Sequence, residues 1–261
     1  MAILERNDKG AVAHLVMNAP ERLNALSDEM LAALMVEFDA LATDATIRVV
    51  ILSGTGRAFC AGHDLKQMTA GRQAEDGGRA YFAGLFARCT AVMARIQSLP
   101  QVVIAQVHGL ATAAGCQLVA TCDLAVADSD TRFGVNGVNI GLFCSTPMVA
   151  LSRNIPRKQA FEMLTTGAFI GAPRAEALGL INRVLAPEAL AGETQALAEV
   201  IAGKLASAVK IGKRAFYEQL QMPLAEAYAY TGDVMVQNML DTDTAEGIAA
   251  FIDKRDPTWT Q

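Results

Sequence analysis

The sequence has few aromatic residues, no excess of basic residues and no long apolar run. Aromatic residues make up 6% of its 261 residues, so aliphatic side chains and alanine must build the core. The net charge of −5 argues against a nucleic-acid-binding protein, which normally carries a basic face. The sequence has no apolar run of about 18 residues, so it predicts no membrane span. The opening MAILERNDKG is too short and too charged for a signal peptide, which favours a cytoplasmic location.

Several motifs for catalysis and ligand binding are also missing. There is no GxxxxGK[ST] phosphate loop, no GxGxxG after the first strand and no GxSxG nucleophile elbow. The three histidines have no acidic or cysteine partners at metal-binding spacing, so we expect no metal site and no separate cofactor. The five cysteines lack zinc-site spacing and predict reduced thiols: Cys60, Cys89, Cys116, Cys122 and Cys144.

Strand and helix patterns alternate along the first two thirds of the chain, which predicts an α/β fold with a parallel sheet. The predicted strands are Val12–Met17, Arg48–Ser53, Val102–Val107 and Asp123–Ala127. Ser27 is a good N-cap for a helix reaching Asp44, and a second helix is predicted over Gly77–Ser98. The stretch Gly71–Gly78 between them is expected to be a mobile loop. After Pro187 the chain reads almost wholly as helix.

Two stretches rich in glycine and alanine carry the strongest chemical signal. They are RAFCAGHDLKQM (Arg57 to Met68) and HGLATAAGCQLVATCD (His108 to Asp123). Each follows an apolar strand pattern and opens into a helix pattern, so each places free backbone N–H groups at a helix N-terminus. Two such ends that face one pocket can hold an oxyanion during acyl chemistry.

These stretches resemble the two signatures of the crotonase (enoyl-CoA hydratase/isomerase) superfamily. LNALSDEM, TTGAFIGAPRAEALGLINRV and FIDKRDPTW also match the pattern, and GHDLK with GVNIGLFCSTP indicates one hydratase-like subgroup. The resemblance covers nearly the whole chain. It implies a spiral of strand–strand–helix turns with a helical C-terminal trimerisation region, and a homotrimer or a hexamer built as a dimer of trimers. We expect an acyl-CoA-binding core over 1–200 and the oligomerisation region over 201–261.

The resemblance also implies a binding site for acyl-CoA thioesters, with coenzyme A entering as part of the substrate. By motif position, the backbone N–H groups of His63 and Ala114 form the oxyanion hole. The resemblance implies contacts to CoA from Ala25, Arg57, Ala61, Lys66 and Lys254. Basic side chains suit the CoA phosphates, and Lys254 with Arg255 could reach the CoA of a neighbouring subunit.

Proton transfer is where the sequence departs from the family. Carboxylates of the hydratases stand at the positions of Gln117 and Gly137, and neither residue here can exchange a proton. Other candidates are Asp64 beside the proposed hole, which fits a supporting role, and the imidazole of His63, which would supply a base. Asn139 and Cys144 also flank the expected acyl pocket. Asp123 fits a structural hydrogen-bonding role.

Two functions therefore remain open at this stage. The first is an enzyme of the hydratase/isomerase type in fatty-acid or related acyl-CoA metabolism, with a nominal hydratase assignment and an alternative isomerase or thioesterase reaction. The second is a non-catalytic acyl-CoA-binding protein or scaffold.

Overall fold

The computed structural model describes residues 2–260, which form one large sheet, one small sheet and eleven α-helices. The strands are β1 (Leu4–Lys9), β2 (Val12–Met17), β3 (Val49–Gly54), β4 (Val102–Val107), β5 (Leu110–Thr112), β6 (Leu124–Asp128), β7 (Arg132–Gly134), β8 (Ile170–Gly171) and β9 (Arg183–Leu185). The helices are α1 (Asp28–Thr43), α2 (Leu65–Gly71), α3 (Arg79–Ser98), α4 (Ala114–Thr121), α5 (Pro147–Asn154), α6 (Arg157–Thr166), α7 (Ala172–Leu178), α8 (Leu190–Ala202), α9 (Ala206–Gln219), α10 (Leu224–Met239) and α11 (Thr242–Asp253).

The large sheet has the strand order β1-β2-β3-β4-β6-β9 and is parallel except for the β1–β2 hairpin. All four predicted strands are present. Two match residue for residue, whereas β3 and β6 each begin and end one residue later than predicted. The strand β1 and the small sheet, ordered β5-β7-β8, were not predicted. Their strands are short or border turns, so their patterns are weak.

Side chains alternate between the two faces of each strand, and both faces of the central strands β2, β3, β4 and β6 are largely buried. On one face, Val49, Ile51 and Ile104 pack against α8. On the other face, Val50 and Leu52 belong to the larger core, to which α1, α3 and α4 contribute. Burial on both faces explains why these strands read as continuous apolar runs.

The helix boundaries follow local hydrogen bonds. The side chain of Ser27 accepts from the backbone N–H of Met30 (3.2 Å), which confirms it as the N-cap of α1. The predicted start of α3 at Gly77 is wrong, because Gly77 and Gly78 have φ values of 66° and 87°. The side chain of Asp76 accepts from the backbone N–H groups of Gly78 and Ala80 instead, so the helix begins at Arg79.

The chain after Pro187 forms α8 to α11, as predicted. The expected division after residue 200 falls inside α8, so the domain boundary stays a prediction, as does the mobility of Gly71–Gly78. Within residues 2–260, no helix combines the length and the apolar character needed to cross a membrane.

A buried ion pair joins α9 to the core. The ammonium of Lys213 donates to Asp123 Oδ2 (2.6 Å) and to the carbonyls of Ile96 and Gln101 (both 2.8 Å). The hydroxyl of Tyr217 donates to Asp123 Oδ1 (2.8 Å). Burial lowers the pKa of Lys213, and Asp123 opposes that effect. Asp123 therefore has the structural hydrogen-bonding role that was predicted, and it fixes α9 beside α3.

Candidate functional site

The two turns rich in glycine and alanine lie side by side. The backbone N–H of Phe59 donates to the carbonyl of His108, and that of Cys60 donates to the carbonyl of Leu110 (both 3.1 Å). The backbone N–H of Thr112 in turn donates to the carbonyl of Cys60 (3.0 Å). This short ladder holds the segment before α2 against the segment before α4. The sequence stretches that carried the chemical signal therefore form one structural unit.

The ladder requires backbone contact that only glycine permits. A Cβ atom on Gly109 would lie 2.2 Å from the carbonyl oxygen of Arg57, and one on Gly115 would lie 2.2 Å from the carbonyl oxygen of Cys60. Both distances are far below van der Waals contact. Any side chain at these positions must push the two turns apart.

The two predicted oxyanion donors are neighbours in this unit. A Cβ atom built on Gly62 would lie 3.2 Å from the backbone nitrogen of Ala114, and His63 is the next residue after Gly62. Across residues 2–260, neither the His63 nor the Ala114 backbone N–H has a hydrogen-bond acceptor. The Ala114 amide lies at the start of α4, where a helix leaves its N–H groups free to bind a ligand or water. The arrangement can bind an oxyanion.

The backbone of Ala113 sets the direction of the Ala114 amide. Ala113 has φ 50° and ψ −119°, a sparsely populated conformation for a residue with a side chain. Its N–H donates to the carbonyl of Gly134 (2.9 Å), and the hydroxyl of Thr112 donates to Asn136 Oδ1 (2.5 Å). These bonds tie the start of α4 to β7 and the turn after it. No sequence signal indicated the unusual conformation of Ala113.

Gln117 lies one turn into α4 and lines a cavity of about 510 Å³. Its side chain is buried, and its Oε1 atom has no hydrogen-bond partner within the described part of the chain. Thr121 of α4 also lines the cavity, and the other walls come from α3, α5 and the end of α9, with Thr90, Met93, Val149, Phe216, Tyr217 and Leu220. The contribution of α9 was not predicted, because it depends on how the C-terminal helices pack back onto the core.

Position 137 has no room for a side chain. A Cβ atom on Gly137 would lie 2.2 Å from the carbonyl oxygen of Leu142 and 2.8 Å from Cys144 Sγ. The backbone N–H of Leu142 also donates to the Gly137 carbonyl (2.9 Å). Substitution at this position alone cannot place a carboxylate here without moving the turn.

Cys144 is buried beside Gly137, and burial raises the pKa of its thiol. A raised pKa lowers the thiolate fraction and argues against a nucleophile. Burial also raises the pKa of Cys60 and Cys116 to about 12. No disulfide joins the five cysteines, in agreement with the prediction of reduced thiols.

Asp64 and Asn139 have partners outside the cavity. The carboxylate of Asp64 accepts from the backbone N–H groups of Lys66 (2.8 Å) and Gln67 (3.2 Å), and so caps α2. It also lies 3.5 Å from the guanidinium of Arg22. The side chain of Asn139 is exposed and lies against Gly167, after α6. Asp64 therefore fits the supporting role expected of it.

The residues expected to contact CoA are distributed over three places. Ala25 and Ala61 lie in adjoining segments, which two backbone hydrogen bonds join. The Ala61 N–H donates to the Leu23 carbonyl (3.0 Å), and the Leu26 N–H donates to the Gly62 carbonyl (2.8 Å). Arg57 and Lys66 are exposed at the ends of the first turn. Lys254 is exposed after α11, and no hydrogen bond or ion pair in residues 2–260 joins it to the other four. Their roles stay predictions.

No group of three or more potential metal-ligating side chains occurs in the described part of the chain. Among the histidines, His14 bonds through Nε2 to Gln195 Oε1 (2.7 Å), a structural contact. The hydrogen-bonding atoms at the site are backbone amides, a carboxamide and one imidazole. This set suits an anionic or carbonyl oxygen.

Comparison with known proteins agrees with the fold and the resemblance. The enoyl-CoA hydratase/isomerase family model matches residues 7–261. The human mitochondrial enoyl-CoA hydratase domain-containing protein 3 is 45% identical over 249 residues, 95% of this chain and 80% of that protein. The chain belongs to the enoyl-CoA hydratase/isomerase family.

Two crystal structures show the same fold. The enoyl-CoA hydratase of Mycobacterium smegmatis superposes with a TM-score of 0.95, 53% identity and 99% coverage of both chains. The human enoyl-CoA hydratase domain-containing protein 3 gives a TM-score of 0.94 and 43% identity, with 98% of this chain and 100% of that chain covered. The predicted crotonase fold and the subgroup resemblance are confirmed.

We predict that Gly115→Ala lowers the free energy of unfolding and weakens ligand binding at the site. Alanine normally stabilises a helix by about 1 kcal/mol relative to glycine, but here its Cβ meets the Cys60 carbonyl. The matched control is Gly192→Ala in α8, where nothing lies within 4 Å of the new Cβ. Urea unfolding of both variants checks this. Equal stability of the two would contradict the close backbone contact.

Proposed function

We propose that this chain binds acyl-CoA thioesters and stabilises the thioester enolate between the backbone N–H groups of His63 and Ala114. The observation that carries the proposal is the pair of neighbouring, unpaired amides, one of which lies at the start of α4, one helical turn before the cavity-lining Gln117. Membership of the enoyl-CoA hydratase/isomerase family supports an acyl-CoA ligand.

The chemistry follows from where charge develops. Removal of a proton from the carbon next to a thioester carbonyl moves negative charge onto the oxygen. Fixed donors aimed at that oxygen stabilise the transition state without reorganising. In this proposal the acyl group enters the cavity beside Gln117, and Arg57, Lys66 and Lys254 meet the CoA phosphates. A metabolic role in fatty-acid or related acyl-CoA conversion is part of the proposal.

Ala114→Pro tests the hole directly, because proline lacks the N–H and is tolerated at the first position of a helix. We expect the exchange of the α-protons of butyryl-CoA with D₂O, followed by NMR, to slow by about 100- to 1,000-fold. Ala114→Gly keeps the N–H and is the matched control. Equal exchange in the two variants, with both shown to be folded by circular dichroism, would contradict the hole.

A second function, acyl-CoA binding without hydration, is favoured by the lack of a free carboxylate in the cavity. Gln117 cannot ionise, and position 137 has no room for a side chain. Asp123 lines the cavity, but both of its oxygens are engaged, one by Tyr217 and the other by Lys213 and the Val103 N–H. No acid–base pair remains to add water across a double bond.

We therefore expect the unmodified protein to bind crotonyl-CoA without hydrating it. Titration calorimetry measures the binding, and the absorbance of the enoyl thioester measures the hydration. Saturable binding with stable absorbance is the expected result. Rapid hydration would show that the missing carboxylates are replaced, and no binding would contradict the proposed function itself.

We also propose a homotrimer, or a hexamer built as a dimer of trimers, assembled through the C-terminal helices. Large apolar side chains are exposed there: Leu224, Tyr228, Leu240, Phe251 and Ile252. Self-association would bury them. Light scattering should give a mass of three or six chains, and a monomer would contradict this. The expected cytoplasmic location stays a prediction, and the human relative is named as mitochondrial.

A further inference from the structure

The imidazole of His63 has one nitrogen atom without a partner. Its Nδ1 atom lies 3.4 Å from the carbonyl oxygen of Leu26. Its Nε2 atom is buried and has no hydrogen-bond partner within residues 2–260. A buried polar atom without a partner costs free energy and calls for an explanation. Here the atom belongs to the residue whose backbone N–H is one of the two proposed donors.

The contact with Leu26 fixes the position of the proton on the ring. A carbonyl oxygen only accepts hydrogen bonds, so Nδ1 must carry the hydrogen in a neutral imidazole. The remaining nitrogen, Nε2, then has a free lone pair and can accept a proton. The orientation by a backbone carbonyl is the arrangement that holds a histidine as a base.

The surroundings keep this imidazole neutral. Burial lowers the pKa of His63, while the contact with Leu26 and the charge of Asp28 oppose this effect. The Asp28 carboxylate at the start of α1 is itself paired with Arg88 of α3 (2.6 Å). The ring packs edge-on against Phe86, with the ring centroids 5.7 Å apart. A neutral imidazole is the form that accepts a proton.

The helix α3 connects His63 to the cavity. Phe86 contacts the imidazole, and Thr90 and Met93, one and two turns further along α3, line the cavity together with Gln117. The imidazole therefore contacts α3 one turn before the α3 residues that line the cavity. Of the imidazole and the Gln117 carboxamide, the imidazole alone can exchange a proton near neutral pH.

We propose that His63 Nε2 is the proton acceptor of the site and removes the α-proton of the bound thioester. This inference rests on the proposed acyl-CoA function. The α C–H bond breaks, its proton goes to Nε2, and its electron pair forms the enolate. The enolate oxygen lies between the N–H groups of His63 and Ala114. Return of the proton, or of a deuteron from solvent, restores the thioester. Because Nε2 is covered in the structure, thioester binding must expose it.

The test is His63→Asn, examined with butyryl-CoA in D₂O. The asparagine Nδ2 can keep the hydrogen bond to the Leu26 carbonyl, and the backbone N–H is unchanged, but the basic nitrogen is lost. We expect α-proton exchange to fall about 100-fold or more, as for loss of a general base, with the affinity for butyryl-CoA largely retained. The matched control is His14→Asn, which removes the imidazole that bonds to Gln195 and should leave exchange unchanged.

The pH dependence gives a second measurement. Because the neutral imidazole is the active form and its pKa is lowered, the wild-type exchange rate should fall only below about pH 6.5, the usual imidazole value. His63→Asn should lose this dependence. If the variant unfolds, the wild-type profile still decides: an exchange rate that rises as the pH falls, or that already begins to fall above pH 6.5, overturns the proposal, because the neutral imidazole is the active form and its pKa is lowered.

The remaining outcomes separate the two proposals. Exchange that persists in folded His63→Asn overturns the role of His63 and leaves the oxyanion hole intact. Binding of butyryl-CoA by the wild-type protein without any exchange overturns both the role of His63 and the enolate step of the proposed function, and leaves acyl-CoA binding in place. Failure of the wild-type protein to bind butyryl-CoA overturns the proposed function, and the role of His63 falls with it.

Discussion

The candidate site depends on direct backbone contact between two turns. Gly109 and Gly115 bring the second turn against the carbonyls of Arg57 and Cys60 at distances that exclude any Cβ atom. The same contact places the amide of Ala114 beside Gly62. The donors are therefore positioned by main-chain geometry, and that geometry is fixed by the ladder between the turns and by the core beneath them. Side chains around the site can differ while the donors stay in place.

Because the oxyanion donors belong to the main chain and the proton-transfer groups belong to side chains, oxyanion binding and proton transfer can diverge within one family. The donors are main-chain groups, which most substitutions leave intact. Proton transfer depends on a few side chains whose ionisation is set by their surroundings. In this chain the positions expected for carboxylates hold Gln117, whose Oε1 is unpaired, and Gly137, which has no space beside it. The remaining carboxylate in the cavity, Asp123, is committed to fixing α9.

The sequence predicted the features that depend on local pattern. The buried strands, the cap at Ser27 and the two turns all have signals within a few residues, and the structure contains each of them. The wall supplied by α9 depends on the long-range pair between Lys213 and Asp123, which no local pattern reveals. The start of α3 was predicted two residues too early, because Gly77 and Gly78 have positive φ and cannot belong to the helix. The strained backbone of Ala113 and the missing hydrogen-bond partner of His63 Nε2 likewise depend on tertiary packing, which no local pattern shows.

A neutral base changes the charge balance of enolate formation. When a carboxylate takes the proton, one negative charge moves from the base to the thioester oxygen, and the net charge of the site stays negative. When the His63 imidazole takes it, a cation and an anion form together from neutral groups. Their attraction offsets part of the cost of forming two charges away from water, a cost that also lowers the pKa of His63. Asp28 also favours the imidazolium. With His63 as the base, as proposed, a site that lacks both carboxylates would still form an enolate, and its product would be an ion pair between the imidazolium and the enolate.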